Sequence, residues 1–268
     1  MLHGLRFLTL IVGIAALAAS GPSFAQRAQG YVQEVQGNVT GRVGAGQPQK
    51  LAKGLTVPNN ATVTTGDQSY AVLKFEDGTA VLLNEYTSFE VQEYSYNAKA
   101  PEKASAVFNL VRGSMRMVTG LAVSRNRDAF KVVTPLATIW LYGSEFVAEL
   151  FNPLFIQVVS GEVIVTNSAG AVIFSSGQAA VVANPSALAD IVPLSRVPPG
   201  VFEMPNVALT AVPEAIPSGA QIGGGGGFAG LSTTTTAIAI GLAIGLAVAV
   251  SAGGSGSGSG GLSSPPQH

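Results

Sequence analysis

A chain of 268 residues with 14 basic and 15 acidic side chains has a formal net charge of −1, so no strong field draws it to nucleic acid, which is excluded as a partner class on that ground. With no cysteine, disulfides, thiolate metal sites and cysteine nucleophiles are ruled out. The two histidines, His3 and His268, stand at the termini, which leaves the folded part no imidazole for a triad or a metal; neither metal nor cofactor is expected.

Residues 1–25 combine a basic start at Arg6, an apolar run from Phe7 to Ala18 and the small-residue site Ser23-Phe24-Ala25. This is the pattern of a secretory signal peptide. An uncleaved anchor is the competing reading, and the run falls short of the ~20 residues a span needs. The chain is expected to be exported.

From 26 to 184 the sequence reads as one all-β domain. Short runs rich in Val, Thr, Phe and Tyr are separated by Gly or Asp-Gly, and no segment carries an apolar stripe of helical period. Ala71, Leu73 and Phe75 alternate with Val72, Lys74 and Glu76, and Asp77-Gly78 suits a hairpin turn. A glycine, a polar residue and a strand recur at Gly37, Gly113 and Gly161. That repetition fits a β-solenoid-like roll or a sandwich, with the roll preferred. Two loops interrupt the pattern, Asn97 to Ala106 and Gly120 to Ala129, the second bearing Arg125 and Arg127.

Residues 185–232 are a Pro/Gly-rich linker, read as an extended spacer that cannot continue a sheet ladder and that moves the β domain away from the tail. Residues 233–252 are a candidate transmembrane helix, a C-terminal apolar helix followed by a Gly/Ser-rich disordered tail at 253–268. Gly241 and Gly245 share a helix face and are candidate helix-packing positions for self-association. The competing reading is a hydrophobic association segment: it is largely Ala and Gly, and no Lys or Arg follows it.

The acidic residues do not form a local catalytic pair. On one strand, Glu145 and Glu149 share a face roughly 13 Å apart, beyond the ~5 to 9.5 Å of paired-carboxylate glycosidases. Glu76 and Asp77 diverge at a turn. No phosphate loop, nucleophile elbow or calcium loop is present. No catalytic residue is assigned, and the chain is expected not to be an enzyme.

Three blocks resemble the FecR-type domain of bacterial envelope proteins: Thr64 to Val91, Thr134 to Leu150, and Val158 to Thr166 with Ser176 to Val182. The motif residues are Thr134, Pro135, Gly143, Ser144, Glu145, Phe146, Gly161, Gly177 and Gln178, to which the resemblance assigns structural roles. Tyr142 stands where that family usually has arginine. The resemblance implies a periplasmic, membrane-associated protein, with Glu145 accepting backbone N–H bonds. Direct control of a sigma factor is not expected of a short uncharged tail. The leading reading is a non-enzymatic envelope protein that binds a protein or polysaccharide partner and is held to the membrane by its C-terminal segment. The alternative is a periplasmic signalling component acting through a separate membrane partner.

Overall fold

The structure, a computed structural model, describes residues 30–223. The signal-peptide segment, the apolar segment at 233–252, its Gly241 and Gly245, and the tail at 253–268 lie outside the described residues.

The described chain is all-β. In order, the strands are β1 (Gly30–Gln36), β2 (Val39–Val43), β3 (Gln49–Lys50), β4 (Thr56–Val57), β5 (Ala61–Thr65), β6 (Tyr70–Phe75), β7 (Ala80–Leu83), β8 (Ser88–Ser95) and β9 (Ser105–Val118). There follow β10 (Phe130–Val133), β11 (Thr138–Leu141), β12 (Glu145–Leu150), β13 (Leu154–Ser160), β14 (Glu162–Asn167), β15 (Gly170–Ser175), β16 (Ala179–Val182) and β17 (Asp190–Val192). They make two open sheets. Sheet A runs β4-β1-β6-β7-β9-β12-β13-β16-β17. Sheet B runs β3-β2-β5-β8-β9-β10-β11-β14-β15. The chain coils back and forth between the sheets while advancing along both, so it has the progression of a roll and the layers of a sandwich. Every pairing is antiparallel except β9 with β10.

Period-two patterning builds the core between the sheets. Ala71, Leu73 and Phe75 of β6, Val81 and Leu83 of β7, and Phe146 and Ala148 of β12 face Val63, Phe89, Phe108, Val132 and Ile139 of sheet B in one buried cluster. Phe75, Phe89, Phe108 and Tyr94 stack at its centre, with ring centroids 4.7 to 6.3 Å apart. Asp77, which the sequence places at a turn, is fully buried there. Its carboxylate accepts bonds from the Thr79 N–H at 2.9 Å, the Thr79 hydroxyl at 3.0 Å and the Tyr94 hydroxyl at 2.7 Å. Burial, reinforced by the Asp77 charge, raises the Tyr94 pKa well above the ordinary phenol value.

The segment after Asn184 departs from the spacer expectation. β17 extends sheet A beside β16, and residues 200–222 lie as a strap across the outer face of sheet A. The Phe202 N–H donates to Glu149 Oε2 at 3.1 Å, and its ring meets Phe155 edge-on at 6.4 Å. Further on, Asn84 donates to the Glu203 carbonyl at 3.1 Å, Lys74 Nζ to the Thr210 carbonyl, and the Tyr31 hydroxyl to Glu214. At the far edge Gln221 bridges to Thr56 of β4, and Ile222 enters the core beside Leu51. Val207, Leu209 and Ala211 are half-buried while Ala208, Thr210 and Val212 are exposed. Proline stiffens such a segment and removes donors that a ladder would need, but it does not oppose docking on a sheet face, where side chains supply the contact. Beneath the strap, Tyr31, Val72, Ala80, Leu82 and Val147 are buried without belonging to the inter-sheet core.

Candidate functional site

Among the described residues β9 is the one strand shared by both sheets, and the site forms where it crosses between them. Along β8, Ser88 pairs with Arg112 and Phe89 with Leu110, so Val111 is the extra residue of a β-bulge. The bulge breaks the alternation and turns Val111 and Arg112 outward together. Gly113 follows with φ +90, and a Cβ there would stand 2.4 Å from the Thr87 Cα, so only glycine fits.

Two turns complete the site. Thr134 closes the β10–β11 turn by donating from Oγ1 to the Ala137 carbonyl at 2.8 Å and accepting from the Leu136 and Ala137 N–H groups at 3.2 and 3.0 Å. This presents Pro135 and Leu136. The β12–β13 turn contributes Leu150, Phe151 and Asn152, with Asn152 at φ +63 before a cis peptide bond to Pro153. Together with Val111 and Arg112 these residues line a groove of about 440 Å³. Val111 is 51% and Phe151 58% exposed. Among the described residues Arg112 makes no side-chain hydrogen bond or ion pair, so the groove pairs apolar walls with a single available guanidinium. Such a surface suits an apolar segment carrying an acceptor group.

Of the motif residues, Pro135 lines this groove, Thr134 closes the turn that presents it, and the others lie elsewhere. Glu145 sits on β12, and its carboxylate accepts from Arg116 Nε at 2.8 Å and from the same guanidinium's terminal nitrogen. Its partner is a cross-strand arginine, not the backbone donors the resemblance implies. Gly143 and Gly161, at φ +75 and +74, face each other so closely that a Cβ on Gly161 would lie 2.3 Å from the Gly143 carbonyl oxygen. The Ser144 N–H donates to Thr119 Oγ1 at 2.8 Å, while its own buried Oγ has no hydrogen-bond partner among the described residues. Phe146 is core, Gly177 turns the chain at φ +83, and Gln178 Oε1 accepts the Ser175 N–H at 2.6 Å. Tyr142 lies under Arg127, whose guanidinium carbon is 5.7 Å from the ring centroid.

The reactive-looking side chains have structural partners. Lys74 is fully buried, donating to the Gly78 carbonyl at 3.2 Å and to the strap carbonyl of Thr210. Burial lowers its pKa, opposed by the charges of Glu214 and Asp77. Glu149 is taken by the strap. Among the described residues no group of three His, Cys, Asp or Glu is placed to hold a metal ion, and no helix is long and apolar enough to cross a membrane. The groove was illegible in the sequence except for Pro135. A bulge leaves no composition signal: Val111 is apolar and reads as another core residue, and only the strand register shows it to be the extra one.

The FecR family model, described as FecR protein, matches residues 61–164. Two crystal structures, at 1.65 and 2.50 Å resolution, of a protein described as a candidate anti-sigma factor from Parabacteroides distasonis are similar to this chain. Each has 15% identity and a TM-score of 0.40 over 49% of this chain and 58% of the other. The chain thus matches less than two thirds of the length of those structures. No curated protein matches.

Proposed function

We propose that this chain, whose residues 61–164 carry a FecR domain, is a signalling component of the bacterial envelope that acts by binding a separate membrane protein rather than by chemistry of its own. The observation that carries this reading is placement: every residue lining the Val111–Phe151 groove falls inside the matched segment. The binding-module reading is retained within it, with the groove as the docking surface and a partner segment of apolar side chains and a carboxylate as its occupant. Arg112 supplies the charge-assisted hydrogen bond, and Val111, Leu136 and Phe151 supply the apolar contact. In this reading residues 1–25 direct export to the periplasm, and 233–252 hold the protein at the membrane.

A photo-crosslinking side chain at Phe151, introduced in the full-length protein in its native envelope, tests this reading. One defined product containing a membrane protein is expected, reduced at least tenfold by Arg112→Glu. Products containing polysaccharide alone, or a pattern unaltered by Arg112→Glu, would reject it. Recovery of the full-length protein in the soluble fraction after carbonate treatment would remove the tether.

A further inference from the structure

Among the described residues each sheet has two edges, and three of the four are protected. β3 is two residues long and ends in Lys50. β4 is covered by the strap, whose Gln221 bridges to Thr56. β17 has three residues, begins with Asp190 and is followed by Pro193. Short length, charge, proline and cover are the usual devices that stop an edge from pairing. The fourth edge, β15, has the sequence Gly-Ala-Val-Ile-Phe-Ser, six residues without charge or proline.

The hairpin register shows which of its groups are open. Asn167 pairs with Gly170 across a two-residue turn, so Gly170, Val172 and Phe174 bond to β14, while Ala171, Ile173 and Ser175 direct their N–H and C=O groups outward. Ser175 confirms the alternation, since both of its outward groups are engaged by Gln178. Among the described residues the outward groups of Ala171 and Ile173 have no partner. Side chains point the same way. On the outer face of sheet B, Lys131, Trp140, Ile164 and Ile173 stand opposite one another on successive strands, and the row ends at Ile173, which is 55% exposed. At the same end, Leu188 abuts Gly170, and Leu188 and Ile191 are 49% and 58% exposed.

We propose that β15 is the pairing edge for a second copy of this chain, joined antiparallel about a two-fold axis at Val172. In that register Ala171 of one copy faces Ile173 of the other and exchanges both main-chain hydrogen bonds with it, twice over, giving about four bonds from the groups left open. Val172 meets its counterpart on the inner face, where it already packs against the core. Phe174 lies opposite a glycine, Gly170. Ser175 keeps its Gln178 cap. Because β15 carries no charge, two copies bring no like charges together, and the apolar row of sheet B continues into the second copy. A contact limited to one six-residue strand edge belongs with the smaller protein interfaces, so the dimer is concentration-dependent. The inference is independent of the groove and its partner.

The natural absence of cysteine makes the register directly testable in the full-length protein. Val172→Cys should give covalent dimer under mild oxidation, because directly opposed residues in a non-hydrogen-bonded pair lie about 4.5 Å apart at Cα. Mixed Ala171→Cys and Ile173→Cys chains should cross-link to each other more than either does to itself. Ile173→Lys should raise the dimer dissociation constant at least tenfold. The proposal is overturned if Val172→Cys cross-links no more than Val111→Cys, or if Ile173→Lys leaves the dissociation constant unchanged. It is equally overturned if Gly241→Leu with Gly245→Leu abolishes the Val172→Cys product, which would assign self-association to the tail.

Discussion

On the outer face of sheet A, Val72, Leu82 and Val147 lie on adjoining strands with Arg116 between them, and all three are buried. On the outer face of sheet B the equivalent row, Lys131, Trp140, Ile164 and Ile173, remains partly open to solvent, with the Lys131 ammonium 5.0 Å from the centre of the Trp140 ring. The strands of both sheets alternate, so the difference does not originate in them. It comes from residues 200–222, which cover one face and leave the other bare. A sheet face whose apolar residues are covered by the chain's own strap is structural, and a face left bare is available for recognition.

Changes at the crossing between the sheets should have the largest effect. Gly113→Ala places a methyl group against Thr87 at a φ of +90; a loss of more than about 3 kcal/mol is expected in denaturant unfolding, with the Val111–Arg112 bulge displaced. Next is a paired truncation on the two faces. Leu82→Ala should cost about 2 to 5 kcal/mol, as for a core residue, whereas Ile164→Ala on the bare face should cost less than about 1 kcal/mol. Equal costs would remove the distinction between the faces.

The strap also fixes an alkaline response. Tyr31 is raised above the ordinary phenol pKa, first by burial and then by Glu214. Its contribution is therefore fully present below about pH 10 and is lost as pH rises beyond it. Lys74 is shifted down by burial, so it favours the folded state increasingly as pH rises towards its unfolded value of about 10.5. Stability measured from pH 9 to 11 should fall less steeply in Tyr31→Phe and more steeply in Lys74→Met. A modest effect is expected at Glu145, whose pairing with Arg116 is partly solvent-exposed. Glu145→Ala should lower stability by about 0.5 to 1.5 kcal/mol.

Much of the fold can be read from alternation alone, because in β6 and β12 the inward residues are apolar and the turn at Asp77-Gly78 is written in residue type. The recurring glycines at 37, 113 and 161 also carry information, since all three have positive φ, at +77, +90 and +74. Three features are not legible. The strap looks like a spacer because proline content reports stiffness and says nothing about the surface the segment lies on. The burial of Asp77 within its turn is hidden because its partner, Tyr94, is 17 residues away. The groove needs the register slip at Val111, and register is set by the pairing of strands rather than by either strand's composition.

Thiol accessibility tests the contrast between the two faces most directly. In the otherwise cysteine-free chain, Ile164→Cys on the outer face of sheet B should react freely with a water-soluble maleimide under native conditions. Val72→Cys, beneath the strap, should react at least a hundredfold more slowly and become labile only when the fold is unfolded by denaturant. Similar rapid labelling at both positions would mean that the strap does not close sheet A and that the two faces do not differ in cover.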